Sequence, residues 1–324
     1  MGTYSVPVWK GYKHMAFSAK DVKDLREITG VGMMDCKKAL TEADGDIQKA
    51  IDYLREKGMA AAQKKAGRIA AEGIAYATVE GDVGAVVEVN AETDFVGKNE
   101  KFVDFVKGVA EAVIKNNPAD LDALMASAYP GGTNTVTQQQ QEMVLVIGEN
   151  ISVRRFARYN TGMTVPYVHA GGKIGVLVNM EVSGISNMDA VTDLGKDLAM
   201  QIAAMRPMYL DSTSVDASEI EKESEIQLNK AIEENKAKNL PDDKARQIAE
   251  NMVKGRMNKY FEDICLMNQP YVKENKLTVS QHVKQVAKDL GGTIDIKAFT
   301  RFEKGEGIEK KQDDFAAEIA SMVK

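Results

Sequence analysis

Two stretches of the chain pass through the same order of elements, and this duplication narrows the available folds more than any other feature. In the first stretch, Ile74 to Val79 and Ala85 to Asn90 read as strands joined through Glu80-Gly81-Asp82, a hairpin signal. A helix from Glu100 follows and gathers Phe102, Phe105, Val106, Val109 and Val113 on one stripe. After a loop rich in Pro, Gly, Asn and Thr from Pro130 to Thr137, a helix from Gln138 stops at Gly148, and the strand Ile151 to Arg158 closes the unit. The second stretch offers strand Ile174 to Val182, helix Met188 to Met205, helix Val279 to Leu290 and strand Ile294 to Phe302. The closing strands also look alike, Ile151-Ser152-Val153-Arg154-Arg155-Phe156 beside Ile296-Lys297-Ala298-Phe299-Thr300-Arg301-Phe302. The pattern predicts an α+β core of two related subdomains, residues 74–160 and residues 161–214 with 261–302.

Other segments flank this core. Residues 1–18 are set aside as a leader or cloning scar, because Met1 to His14 hold the only Trp and show no periodicity. Residues 19–58 carry three short apolar patterns: Val22, Leu25 and Ile28, then Cys36, Ala39 and Leu40, then Ile47, Ala50, Ile51 and Leu54. Gly30, Gly32 and Gly45 separate them, with Asp46 as a cap. A three-helix module of about 40 residues is marginal alone and suited to docking. An Ala/Lys-rich linker helix over residues 59–73 joins it to the core. Within the second stretch, residues 215–260 are dense in charge, with Ala245, Ile248, Ala249, Met252, Val253 and Met257 on one stripe and a break at Asn239-Leu240-Pro241-Asp242. Two helices joined by a tight loop make an antiparallel coiled-coil hairpin projecting from the body. Residues 303–324 form a C-terminal module with a helix from Asp313 to Val323.

Composition excludes several classes of function. At 324 residues, 44% hydrophobic and 28% charged, the chain is an ordinary folded protein of several domains. A net charge of −6 argues against direct nucleic-acid binding by phosphate neutralisation. Lys64-Lys65 with Arg68 reads as a solvated helix face, while Arg154-Arg155 with Arg158 interrupts a strand and suits an acidic partner. Cys36 and Cys265 are in no metal-ligand spacing, which fits a reducing cytoplasm. No apolar run has the length of a membrane span. The glycines at Gly30-Val31-Gly32, Gly97-Lys98 and Gly172-Lys173 fail as phosphate cradles, and His169 and His282 lack a Cys or Ser motif beside them. Neither a catalytic site nor a cofactor is expected. His169, before Ala170-Gly171-Gly172, reads as a surface residue at a strand start.

Thr93-Asp94-Phe95-Val96 falls where the strand ending at Asn90 hands over to the helix from Glu100, and neither element needs the aromatic ring. Phe95 is either an exposed wedge or a staple to the core, with Thr93 or Asp94 capping the helix in the second case.

The stretch from Leu25-Arg26-Glu27-Ile28-Thr29-Gly30-Val31-Gly32 through Met33-Met34-Asp35-Cys36-Lys37-Lys38-Ala39-Leu40 resembles the N-terminal signature of bacterial elongation factor Ts, the guanine nucleotide exchange factor of elongation factor Tu. So do Glu88-Val89-Asn90 with Thr93-Asp94-Phe95-Val96, Ile147-Gly148-Glu149-Asn150, the strand from Lys173 to Val178, Gly255-Arg256-Met257, and Arg301-Phe302-Glu303 with Gly305-Glu306-Gly307-Ile308-Glu309. The resemblance runs from about Lys20 to the C-terminus; its departures lie in the linkers and in the longer Asp211 to Ser218 approach to the hairpin. It implies that the three-helix module is of the ubiquitin-associated type and that Thr93, Asp94, Phe95 and Val96 dislodge Mg²⁺ from elongation factor Tu. Phe95 would enter a pocket between helices of the partner's GTPase domain and loosen GDP. Asp94 would either repel the phosphates or cap the helix. Arg26, Met33 and Met34 match positions that touch the same partner domain, with core packing as the alternative for the two methionines. His169 matches a position near another partner domain. The partner is met both GDP-bound and nucleotide-free, and the hairpin offers a surface for self-association.

Overall fold

The computed structural model of the chain describes residues 17–236 and 242–309. The leader up to residue 16, the Asn239 to Pro241 break and the terminal helix from Asp313 lie outside them. Helices α1 (Ala19–Thr29), α2 (Met33–Glu42) and α3 (Ile47–Lys65) open the fold around Leu25, Cys36, Leu40 and Leu54. Ser18 and Asp21 exchange hydrogen bonds in a capping box, and Phe17 packs on the same core, so the folded chain starts ahead of residue 19. The third helix of the module and the expected linker helix are one element. Only Gly58 interrupts the helix formers, at a cost of about 1 kcal/mol, and the chain leaves the helix after Lys65 instead of continuing to residue 73.

Strands β1 (Glu72–Glu80) and β2 (Val83–Ala91) pair antiparallel with Glu80 opposite Val83, leaving Gly81-Asp82 as the turn. Helices α4 (Glu100–Asn116), α5 (Leu121–Ala126) and α6 (Val136–Ile147) intervene before β3 (Ser152–Tyr159) joins the free side of β2. The chain then repeats this wiring. Strands β4 (Met163–His169) and β5 (Ile174–Ser183) form the hairpin, and α7 (Met188–Met205), α8 (Ala217–Lys236), α9 (Asp242–Ile264), β6 (Pro270–Tyr271), β7 (Glu274–Thr278) and α10 (Val279–Asp289) intervene. Strand β8 (Thr293–Glu303) pairs with the free side of β5. The sheets run β1-β2-β3 and β4-β5-β8, and each has a register shift on its central strand, at Glu88/Val89 and at Asn179/Met180. Strand β4 carries Pro166 in the middle of its run, which hides it in the sequence. As an edge strand it tolerates the missing N–H.

The two sheets stack through small side chains. Ala75, Ala77 and Val86 meet Leu177 and Phe302, and a Cβ on Gly175 would approach the Ala75 backbone to 3.1 Å. The outer face of β2 sends Val87 and Val89 toward Phe102, Phe105 and Val109 of α4, while β5 sends Val176, Val178 and Met180 toward Leu194, Leu198 and Ile202 of α7. Central strands covered on both faces read as near-continuous apolar runs, interrupted here by Glu88 and Asn90 in β2 and by Asn179 in β5. Helices α8 and α9 lie antiparallel: Tyr260 Oη donates to Glu219 at one end and Asn235 Nδ2 to the Ala245 carbonyl at the other. The class is mixed α+β.

Candidate functional site

Past β2 the chain neither enters α4 at once nor stays extended. Asn99 is the cap of α4, its Oδ1 accepting from the Lys101 and Phe102 amides. That displaces Thr93 and Asp94 from the capping role, and the residues between form a loop ending in a short 3-10 turn, Val96–Lys98. Val96 is buried in the core under α4, whereas Phe95 beside it is 77% exposed. The ring is therefore a surface feature and not a staple. Asp94 is also exposed and makes no hydrogen bond or ion pair among the described residues.

The loop is nonetheless held from several directions. Thr93 donates from its amide and its hydroxyl to the Glu149 carboxylate, at 3.0 and 2.6 Å. Glu92 accepts from the Asn150 amide at 2.6 Å and from Arg68 at 3.4 Å, and Asn150 Nδ2 donates to the Arg68 carbonyl. On its far side Gly97 lies so close to the Gly73 carbonyl that a Cβ there would come to 3.4 Å. Sequence reasoning passed over Glu92, Asn99, Glu149 and Asn150 as agents; the signals were that Asn99 stands immediately before the expected helix start at Glu100, a favoured cap position, and that Glu149 and Asn150 belong to the Ile147-Gly148-Glu149-Asn150 stretch.

The remaining expected residues gather toward the same end of the stacked sheets. Met33 and Met34, at the start of α2, are 52% and 75% exposed, which overturns core packing for both. Ile28 is exposed on the other side of the intervening turn, and Arg26 projects from α1 into solvent. Lys101 Nζ donates to the Gly30 carbonyl at 3.0 Å, tying that turn to the first turn of α4, just past the Phe95 loop. His169 sits at the end of β4 and not at a strand start, exposed, with the Tyr167 hydroxyl 2.9 Å from its Nδ1. The turn after it, Ala170-Gly171-Gly172, takes left-handed backbone and packs on Ile74, and the Ala75 amide donates to the Gly172 carbonyl at 2.8 Å. Gly73 and Ile74 thus have the Phe95 loop on one side and the His169 turn on the other.

His282, by contrast, stacks on Tyr271 at 3.9 Å, and burial lowers its pKa. Cys36 and Cys265 are free and buried. Among the described residues no group of His, Cys, Asp or Glu is placed to hold a metal ion, and no helix is long and apolar enough to cross a membrane. What the geometry collects at one end is apolar area, an imidazole and a guanidinium, all exposed.

Comparison with known proteins names the kind. A family profile described as Elongation factor TS matches residues 92–306. The chain is 47% identical over 312 residues to elongation factor Ts of Syntrophotalea carbinolica, an alignment spanning 96% of this chain and 100% of the relative. It is 46% identical over 314 residues to that of Trichlorobacter lovleyi, spanning 95% and 98%, and 45% identical over 309 residues to that of Clostridium perfringens, spanning 94% and 98%. The chain belongs to the elongation factor Ts family of translation elongation factors.

Proposed function

We propose that the chain is the guanine nucleotide exchange factor of elongation factor Tu, acting in the cytoplasm without a catalytic site or cofactor of its own. The observation that carries this reading is Phe95: a large aromatic held in water between a braced loop and a buried Val96. A ring so placed gains its burial energy only when a partner supplies the pocket. In the bound state Phe95 enters the GTPase domain beside the partner's Mg²⁺ site. Thr93 and Val96 set its direction, and Asp94, which caps nothing, brings its charge toward the phosphates. Arg26, Met33 and Met34 on the ubiquitin-associated-like module dock on the same domain, and His169 meets another. The α8–α9 pair serves as a coiled-coil arm contributing affinity or self-association.

Exchange by linkage sets the scale. The factor must bind the nucleotide-free partner better than the GDP form, and GDP must weaken the factor equally. A population shift on the order of ten-thousand-fold takes about 5.5 kcal/mol of differential binding, whereas burying one Phe supplies about 1.5–3 kcal/mol. Phe95 is the trigger, and the module and second sheet supply the remainder.

The test is release of a fluorescent GDP analogue from elongation factor Tu at saturating factor. Phe95→Ala is expected to slow release by at least about tenfold, the rate equivalent of 1.4 kcal/mol, with its unfolding free energy changed by less than about 0.5 kcal/mol, as for a surface side chain. A protein that binds the partner but leaves release at the spontaneous rate would be an adaptor instead.

A further inference from the structure

Two carboxylates and two backbone amides, more than fifty residues apart in the chain, are exchanged crosswise beneath the Phe95 loop. Glu149 takes the amide and hydroxyl of Thr93, and Glu92, immediately before Thr93, takes the amide of Asn150, immediately after Glu149. Each segment thus offers one acceptor and one donor to the other, as two hands clasp. A single hydrogen bond would let the loop pivot; the reciprocal pair fixes both its height and its direction. A third strand of the clasp comes from Arg68, whose side chain reaches Glu92 and whose carbonyl receives Asn150 Nδ2. Phe95 then stands between two fixed points, the clasp at Thr93 and the buried Val96.

We infer that Glu149 is a positioning residue for exchange: through Thr93 it holds Phe95 in the orientation that meets the partner, and does so before contact. The inference rests on the wedge role of Phe95 proposed above. Its chemistry is specific. Only an ionised carboxylate can accept both the amide and the hydroxyl of Thr93 in this geometry with charge assistance. Freed from the clasp, the loop keeps its Val96 anchor and its ring but spreads over orientations, of which a fraction is productive. Loss of a preformed geometry appears in the rate of the step that needs it more than in overall affinity, because most of the docking area lies elsewhere.

The experiment measures GDP release at saturating factor, together with affinity for nucleotide-free elongation factor Tu, for Glu149→Ala, Thr93→Val, Phe95→Ala and the double variant Glu149→Ala/Phe95→Ala, all in the full chain. The first two are expected to slow release about tenfold each, well inside the hundredfold that a misplaced group can cost, with affinity within about threefold. Thr93→Ser, which keeps both donors, is expected to release GDP at the parent rate. In the Phe95→Ala background, Glu149→Ala is expected to add nothing, since the ring it orients is gone. Equal slowing by Glu149→Ala in both backgrounds would overturn the inference, as Glu149 would then act on its own. So would an unchanged rate in Glu149→Ala and Thr93→Val while Phe95→Ala is slow; that result would leave the wedge standing and remove only the clasp. If Phe95→Ala itself releases GDP at the parent rate, the wedge reading fails and the clasp with it.

Discussion

Phe95 and Glu88 invert the usual sorting of side chains, a large apolar ring in water and a carboxylate with no solvent access. Glu88 is satisfied by Arg154 at 3.0 Å, Arg155 at 2.5 Å, Asn90 and the Gly305 amide at 2.8 Å, so its charge is used up in joining β2 and β3 to the turn after β8. Arg155 also lies over the Phe302 ring at 4.3 Å. Among the described residues Phe95 has no such partner, which is why the two residues carry different meanings despite both breaking the rule. Cys265 is the plain case beside them. Burial pushes its thiol up to about 11 from the ordinary 9.0. Because the folded-state value is the higher one, folding favours the protonated thiol; that contribution is complete below about pH 9 and is lost as pH rises through 11. A thiol-reactive dye at pH 8 is therefore expected to label Cys265 only as fast as the chain opens, with reactivity and loss of stability rising together between pH 9 and 11. Rapid labelling of the native protein at pH 8 would show that the residue is accessible.

Among the elements, α3 departs most from its sequence reading. Its length makes it both the last helix of the N-terminal module and the surface on which α6 packs, with Leu145 and Val146 of α6 against the module's core and Arg55 bonded to Asn134. A cut at Met59 would split this helix, so the module is not an appendage that can be removed without cost. Gly58 lies at a close approach of the two helices. Helix propensity alone would reward replacing it, but a Cβ there would lie 3.1 Å from the Gln141 carbonyl of α6. Gly58→Leu is expected to destabilise the protein by about 1–3 kcal/mol, the usual penalty of overpacking, seen as a lower urea midpoint with unchanged slope. A midpoint at or above the parent's would mean that α3 stands clear of α6. Strand β4 teaches the complementary lesson. Pro166 is compatible with a strand only at an edge, and nothing local says whether a segment will be one.

At the scale of the molecule, the two sheets form one stacked body from which the α8–α9 pair departs through a narrow base. Glu219 there accepts from both Tyr209 and Tyr260, at 2.6 and 2.7 Å, and these bonds hold its carboxyl below the ordinary range. Met208 and Tyr209 donate to the Ile264 carbonyl, closing the base from the other side. Replacing residues 223–256 by a short linker, which leaves this brace intact, is expected to preserve the melting of the body, since loop-closure entropy changes slowly with length. GDP release at saturation should stay within about threefold, a loss under 1 kcal/mol, while affinity or self-association falls. A hundredfold slower release with an intact fold would make the arm part of the trigger. The sequence by itself determined most of the elements, though not α5, β4, β6 or β7, because apolar period, caps and turn glycines act within a few residues: α7 runs from Met188 to Met205 as its stripe predicts, and α4 buries the face its spacing marks. It also determined the family, through motifs quoted residue by residue. Only the tertiary structure decided that Phe95 is uncovered and that Glu149 reaches Thr93 across fifty-six residues. Burial and long-range hydrogen bonds depend on what the rest of the chain brings to a residue, and a local pattern holds no record of that.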